Sequence, residues 1–219
     1  MGIFGLILGV LVIIVFTWPK RTNPAPPSVT PDAGLSMAAD TNSATINDTA
    51  KNSNAKFVSP ISRAGERVTK KPFGIFITKQ NSPVQPERFS GYHTGTDFET
   101  FPDEQNSDVP IFAITDGRIL LKKSASGYGG VLVESGMIDN QPVTIIYGHL
   151  NLASINKKTG DTLSAGEQIG ILGKGFSSET DGERKHLHLG IHRGSPVNIV
   201  GYVAKKSDLG GWVDPLSVL

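Results

Sequence analysis

Short runs of apolar residues, separated by glycine, proline and small polar residues, recur along the chain from about Lys56 onward. Val, Ile, Leu and Phe dominate these runs and turn residues bound most of them, which is typical of short β-strands. No later stretch has the periodicity of a helix of about ten or more residues. The pattern predicts a mainly β fold, a compact antiparallel β-sheet domain, with strands near 73–78, 109–115, 117–123, 129–135, 142–150, 167–173 and 186–192.

The last of these runs, KHLHLGIH at 185–192, alternates strictly between apolar and polar positions. Residues of one parity on a strand share one face, so the two registers face opposite sides. The apolar register is predicted to face the core and consists of Leu187, Leu189 and Ile191. The other register contains three of the five histidines in the chain, His186, His188 and His192.

The first sixteen residues carry no charged side chain, and Trp18, Lys20 and Arg21 follow them. A membrane-spanning helix needs about 17 or more mostly apolar residues, often with aromatic and basic residues at its ends. We therefore expect 1–18 to be a transmembrane anchor, with a cleaved signal segment as the alternative. Residues 19–55 are rich in Pro, Ala, Ser, Thr and Asn, which predicts a disordered linker before a folded domain at 56–219.

Charge and cysteine content narrow the function classes for this 219-residue chain. The formal net charge is +1, so the sequence offers no basic field for nucleic acid. No cysteine is present, which excludes disulfides, cysteine-ligated zinc and a thiol nucleophile.

Three short segments contain the candidate chemistry. GYHTGTDFE supplies His93 and Asp97, with a tight bend expected at the glycine between them, and IIYGHL supplies Tyr147 and His149. Tyr147 and His149 have the same parity at the end of a strand, so both are expected to face one side. The third segment is HLH. Each segment alone is weak, because histidines are common on polar strand faces and in loops.

Together the three segments indicate a zinc site. Catalytic zinc commonly takes three protein ligands and keeps one position open, whereas structural zinc closes all four. His93, Asp97 and one histidine of HLH would supply three ligands. The other HLH histidine and His149 would remain for proton transfer. These spare imidazoles argue against a purely structural zinc domain.

The ordered motifs resemble the lysostaphin/LytM family of zinc peptidoglycan endopeptidases. They are KPFGIFI, HTGTDF, PIFAITDGRI, GYGG, YGHL, TGDTLSAGEQIGILGKG, HLHLGI and WVDPLSVL, and they span roughly 56 to 219. The resemblance implies a compact antiparallel β-sheet domain with an active-site groove. It also implies that His93, Asp97 and His188 bind zinc, that His149 and His186 are catalytic, and that Tyr147 lies close enough to contact the substrate or transition state.

The chain departs from the family pattern at two positions on the same strand face. Gly190 stands where the family often has glutamate, and His192 stands where a basic residue is common. His192 is expected roughly 13 Å from His188 along the strand, too far to share an ion, and we interpret it as a bystander. The polar loops at 99–108 and 177–185 are either walls of the groove or solvated surface.

The implied function is zinc-dependent hydrolysis of peptide bonds in peptidoglycan stem peptides or cross-bridges. The implied place is the cell envelope, with the domain on the extracytoplasmic side, anchored to the membrane or secreted if the first segment is cleaved. The positive-inside tendency of Lys20 and Arg21 favours the opposite orientation. The alternative function is a non-catalytic peptidoglycan-binding or amidase-activating domain.

Overall fold

The structure is a computed structural model that describes residues 57–219. The expected anchor at 1–18 and linker at 19–55 lie outside the described residues. Between residues 57 and 219, no helix is both long enough and apolar enough to cross a membrane.

Twelve strands, all paired in antiparallel fashion, form the described domain. They are β1 (Phe76–Ile77), β2 (Gly91–His93), β3 (Gly95–Glu99), β4 (Pro110–Phe112), β5 (Gly117–Ala125), β6 (Gly129–Ile138), β7 (Gln141–Gly148), β8 (Thr162–Leu163), β9 (Gln168–Ile171), β10 (His186–Arg193), β11 (Tyr202–Val203) and β12 (Trp212–Val213).

The helices of the described domain are short 3-10 helices at Ala64–Glu66, Pro102–Glu104, Leu152–Ser154, Ser178–Thr180, Lys206–Gly211 and Pro215–Ser217. The expectation of a mainly β domain is therefore confirmed for residues 57–219.

The largest sheet has the strand order β12-β10-β7-β6-β5-β8, and β3 also pairs with β10. One edge of β10 lies along β7 for most of its length. The opposite edge is shared, because β3 pairs with 186–190 and β12 pairs with 191–192. The histidine strand therefore lies inside the sheet, with hydrogen-bonded neighbours on both sides.

The two registers of β10 face different surroundings, as its alternating sequence predicts. Leu187, Leu189 and Ile191 are fully buried in the main hydrophobic core, where Tyr147 of β7 also packs. Burial of such aliphatic side chains contributes about 1.5–3 kcal/mol each. A second apolar cluster, which includes Ile146 and Trp212, packs separately. The predicted core positions are confirmed, and the histidines face away from that core.

The segment GYHTGTDFE forms two strands rather than a loop with a tight bend at glycine. Thr94 separates β2 from β3, and its backbone N–H donates to the carbonyl of Gly201. Gly95 is the first residue of β3, where a Cβ atom would lie 2.5 Å from the Leu189 carbonyl oxygen and 2.7 Å from the His188 ring. Close packing against β10, rather than chain reversal, requires glycine here.

Several elements differ from the sequence prediction in length. The segments expected at 73–78, 109–115 and 167–173 contain only the two-, three- and four-residue strands β1, β4 and β9. The long β6–β7 hairpin was predicted closely. It turns at Asp139 and Asn140, whose φ values of 50° and 61° are those of a tight hairpin turn.

Candidate metal centre

Three side chains from three strands converge on one point, and we call them the donor cluster: His93, Asp97 and His188. His188 and Asp97 are direct partners across the β3–β10 ladder, and His93 ends β2. His93 Nε2 lies 3.0 Å from His188 Nδ1. Asp97 Oδ1 lies 3.1 Å from His188 Nδ1 and 3.3 Å from His93 Nε2. All three side chains are buried.

The chemistry of the donor cluster fits a metal ion. Its three ligand atoms lie within 4.8 Å of one another and could hold a metal ion. Two imidazole nitrogens and one carboxylate oxygen are a donor set that zinc accepts at catalytic sites. Three ligands leave a position open to the neighbouring cavity.

The pKa values in the donor cluster agree with the protonation states that a metal requires. Burial alone would raise the pKa of Asp97, but the imidazoles of His186 and His93 hold that pKa well below its ordinary value. Burial lowers the pKa of His188 to about 4, although Asp97 acts in the opposite sense. Asp97 is thus a carboxylate and His188 a neutral imidazole, the forms that metal binding demands.

Each histidine of the donor cluster has its second ring nitrogen engaged outside the cluster. His93 Nδ1 lies 3.3 Å from the carbonyl oxygen of Pro72, and His188 Nε2 lies 3.4 Å from the hydroxyl of Tyr128. Such outer contacts fix the ring orientation and the tautomer of a ligating histidine. They leave Nε2 of His93 and Nδ1 of His188 directed at the metal position.

His149 and His186 lie next to each other beside the donor cluster, with ring centroids 4.2 Å apart. Burial, followed by repulsion from His186, holds the pKa of His149 well below its ordinary value, so this ring is neutral. Its Nδ1 atom is buried without a hydrogen-bond partner. His186 Nδ1 lies 2.9 Å from the Arg184 carbonyl oxygen, and its Nε2 lies 3.3 Å from Asp97 Oδ2 at the edge of the donor cluster.

The expectation that Tyr147 contacts the substrate or transition state is wrong. Its ring packs in the main core, and its hydroxyl donates to Glu134 Oε2 at 2.6 Å and accepts from the N–H of Ile114 at 2.8 Å. Strand β7 ends at Gly148, and His149 has a left-handed φ of 64°. The alternation therefore breaks between the two residues, and His149 turns to the side opposite Tyr147.

A cavity of about 390 Å³ opens over His149, His186, His188 and Asp97. Its wall combines apolar and polar side chains, which include Phe89, Tyr128, Glu183, Arg184, Ile199, Val200, Tyr202 and Lys71. The loop 177–185 thus contributes to the wall through Glu183 and Arg184. The loop 99–108 does not line this cavity, and His192 packs on Trp212 instead, with ring centroids 4.8 Å apart.

The sequence interpretation missed two side chains of this cavity. Tyr202 of β11 stacks on His93 with ring centroids 5.1 Å apart, and its hydroxyl accepts from Lys71 Nζ at 3.2 Å. A two-residue strand has no periodicity, so no local pattern indicated Tyr202. Arg184 did leave a signal, because it continues the alternating polar register of His186 and His188 by one step.

Comparisons with known proteins identify the family. Residues 91–199 match the model of Peptidase family M23. Endolysin 2638A of Staphylococcus phage 2638A is 32% identical over 120 residues, which cover 54% of this chain and 23% of the endolysin. The chain therefore matches about a quarter of that relative's length.

Solved structures with a similar fold include the antimicrobial peptidase lysostaphin and LytU. The catalytic domain of lysostaphin from Staphylococcus simulans gives a TM-score of 0.48 at 22% identity, over 70% of this chain and 92% of that chain. LytU gives a TM-score of 0.46 at 26% identity, over 68% of this chain and 81% of the LytU chain. The family match spans the whole segment from His93 to His188, and the chain belongs to peptidase family M23.

Proposed function

We propose that the chain is a zinc-dependent endopeptidase that hydrolyses peptide bonds in peptidoglycan stem peptides or cross-bridges. The observation that carries this proposal is a complete donor cluster beside two further imidazoles, those of His149 and His186, which line the same cavity as Asp97 and His188. The family match supports peptide hydrolysis. The likeness to an endolysin supports a cell-wall substrate.

The donor cluster would hold zinc through His93 Nε2, Asp97 Oδ1 and His188 Nδ1. A zinc ion there would supply Lewis acidity and lower the pKa of water in the site towards about 7. The remaining chemistry belongs to side chains of the chain itself.

His186 and His149 would manage the protons of the reaction. His186 Nε2 would accept the proton of the attacking water, since its Nδ1 is engaged by a backbone carbonyl and its Nε2 lies beside the donor cluster, 3.3 Å from Asp97 Oδ2. The water oxygen would bond to the peptide carbonyl carbon, the C–N bond would then break, and a proton would pass to the leaving amine. His149 is neutral and adjacent, so it can stabilise the oxyanion or deliver that last proton.

Tyr202 would take the supporting role first expected of Tyr147. The ammonium of Lys71 can only donate, so the Tyr202 oxygen accepts from it and the hydroxyl hydrogen is free to point elsewhere. Burial raises the pKa of Tyr202 well above its ordinary value, which keeps this hydrogen in place. The hydroxyl can therefore donate to a substrate oxygen as negative charge develops on it.

The proposal is tested by digesting purified muropeptides and identifying the products by mass spectrometry. We expect hydrolysis that stops after chelation and returns with added zinc, and His188→Ala should abolish it. His192→Ala is the matched control, because His192 lies on the same strand outside the donor cluster. Equal activity of the chelated and zinc-loaded protein would contradict the proposal. Stoichiometric zinc binding without any hydrolysis would favour the non-catalytic alternative.

We further propose that the domain acts on the extracytoplasmic side of the cell envelope, held by residues 1–18 or released if they are cleaved. The support is the substrate class, since peptidoglycan lies outside the cytoplasmic membrane. Protease treatment of intact spheroplasts should digest the domain. Protection from the protease until the cells are lysed would contradict this placement.

A further inference from the structure

Asp97 has two carboxylate oxygens in different surroundings. Oδ1 faces His93 and His188 within the donor cluster. Oδ2 faces away from that point and accepts from Arg184 Nη2 at 2.9 Å, with His186 Nε2 at 3.3 Å. One oxygen of the Asp97 carboxylate therefore faces the metal position, and the other accepts a hydrogen bond from a buried guanidinium.

Strand register explains how this arrangement arises. Asp97 and Glu99 lie two residues apart on β3, so they share one face, and they pair with His188 and His186 across the ladder. Arg184 precedes His186 by two residues and continues the same polar register. Its side chain can therefore reach both carboxylates of β3.

The Arg184 guanidinium also donates hydrogen bonds to Glu99. Arg184 Nε lies 3.0 Å from Glu99 Oε1 and 2.9 Å from Oε2, and Nη2 also bonds to Oε1. The Arg184 side chain is 10% exposed. Because Glu99 neutralises the guanidinium, Arg184 can lie beside Asp97 without presenting an unbalanced positive charge to a cation. The planar guanidinium group of arginine can bond to two carboxylates at once in a fixed geometry, whereas the ammonium of lysine lacks that geometry.

From this geometry we infer that Arg184 is a positioning residue for the metal centre, which holds Asp97 so that a single oxygen faces the ion. This inference rests on the proposed metal-dependent function. Without the guanidinium, the Asp97 carboxylate could rotate about its terminal bond and Oδ2 would lose its strongest partner. Outer contacts of this kind commonly change metal affinity by about ten- to hundredfold.

A simpler reading is that Arg184 and Glu99 form a buried ion pair that only stabilises the fold. The two readings differ in what happens to the metal. A purely stabilising pair would change the unfolding of the metal-free protein and leave the zinc affinity of the folded protein unchanged. A positioning role requires that zinc affinity and coordination both change in protein that is still folded.

The test compares the unchanged chain with Arg184→Gln, Arg184→Lys and Arg88→Gln. Arg88 is the matched control, because it also contacts two carboxylates, those of Asp181 and Glu183, but no residue of the donor cluster. Zinc dissociation constants are measured by competition with a chromogenic chelator. Cobalt-substituted protein gives a visible spectrum that reports the coordination geometry.

We expect Arg184→Gln to weaken zinc binding by about ten- to hundredfold and to alter the cobalt spectrum. Arg184→Lys should recover part of the affinity, and Arg88→Gln should match the unchanged chain. Folded Arg184→Gln protein with unaltered affinity and spectrum would overturn the inference. If that variant does not fold, unaltered affinity and spectrum in Arg184→Lys would overturn it. Failure of the unchanged chain to bind zinc would instead contradict the proposed function, and this inference with it.

Discussion

At the scale of single residues, the chemistry of the cavity depends on which nitrogen of each histidine is left free. His93 and His186 each direct Nδ1 at a backbone carbonyl, and His188 directs Nε2 at the Tyr128 hydroxyl. Backbone carbonyls cannot titrate, so they fix a tautomer without adding charge. The sequence shows which residues are histidine, but these contacts decide which of their atoms can bind a metal or a proton.

Tyr202→Phe tests the phenol in the cavity. We expect kcat to fall by about a hundredfold with little change in KM, because the hydroxyl would donate chiefly to charge that develops in the transition state. Zinc affinity should not change. The measurement is steady-state hydrolysis of a purified muropeptide.

The matched control for this prediction is Tyr92→Phe. Tyr92 packs on Phe76 in the same small sheet, with ring centroids 4.8 Å apart, and does not line the cavity. If Tyr202→Phe retained the kcat of the unchanged chain, the assigned role would be wrong.

Glu134 gives a prediction about stability and pH. Burial raises the pKa of Glu134 to about 8, although its hydrogen bond from Tyr147 acts in the opposite sense. In the unfolded chain the pKa returns to about 4.3, so between these values the folded state binds the extra proton. The contribution of Glu134 to the free energy of unfolding should therefore fall as the pH rises through this window. Above about pH 6.5 the buried His149 and His188 are neutral in both states, so there the fall is not opposed by their titration.

Urea unfolding followed by circular dichroism, from about pH 5 to about pH 8, measures this dependence. Glu134→Gln should remove this contribution, since a neutral amide has no proton to lose. Glu66→Gln, at an exposed position in the first 3-10 helix, should keep it. An identical pH dependence in Glu134→Gln and the unchanged chain would show that Glu134 does not cause it.

At the scale of elements, the long strands follow from the sequence and the short ones do not. Strands β5, β6, β7 and β10 each extend over eight or more residues, long enough for alternation and bounding turns to be visible. Strands of two or three residues, such as β2 and β11, exist because neighbouring segments pair with them. They supply His93 and Tyr202, so part of the site depends on tertiary pairing.

The predictions of site residues also succeeded or failed according to what a local pattern can show. The motifs indicated His93, Asp97 and one histidine of HLH, and the family resemblance implied that this histidine is His188. The structure brings these three side chains together at the β3–β10 ladder. The prediction that Tyr147 faces the same side as His149 was wrong, because the left-handed backbone of His149 at the strand end cannot be inferred from alternation alone. The roles of His149 and His186 in proton transfer stay predictions.

Gly95→Ala tests how closely β3 and β10 must approach. An added Cβ atom would lie 2.7 Å from His188 Nε2 and 2.5 Å from the Leu189 carbonyl oxygen, so the ring or the strand has to move. We expect zinc affinity to fall by about tenfold or more and the domain to lose about 1–3 kcal/mol of stability. Chelator competition and urea unfolding measure the two effects.

Gly65→Ala is the control for this substitution, because an added Cβ atom at Gly65 meets nothing within 4 Å. Neither zinc affinity nor stability should fall in that variant. Gly95→Ala protein with the zinc affinity of the unchanged chain would show that the close approach does not support the metal centre.

At the scale of the whole molecule, the described domain contains both its hydrophobic clusters and all five proposed zinc and catalytic residues. Core side chains come from positions as far apart as Ile61 and Val213, so both ends of the domain contribute to one core. A domain of this size normally folds as a unit. The family match at 91–199 lies inside it.

A chain shortened to 56–219 should therefore fold and bind zinc as the full chain does. Its hydrolysis of soluble muropeptides should also be unchanged, since every residue of the cavity is retained. Circular dichroism, chelator competition and product analysis check these outcomes. Loss of cooperative unfolding in the shortened chain would show that the domain boundary at Lys56 is wrong.

Because Asp97 and His188 lie on different strands, binding of the proposed metal would depend on the native register of those strands. If β3 slipped by one residue along β10, Thr96 or Phe98 would replace Asp97 opposite His188, and the side chains of β3 would exchange faces. Such a chain would have no carboxylate at the metal position. Misaligned molecules would thus be inert, and hydrolysis would be confined to molecules whose strands had found their native alignment.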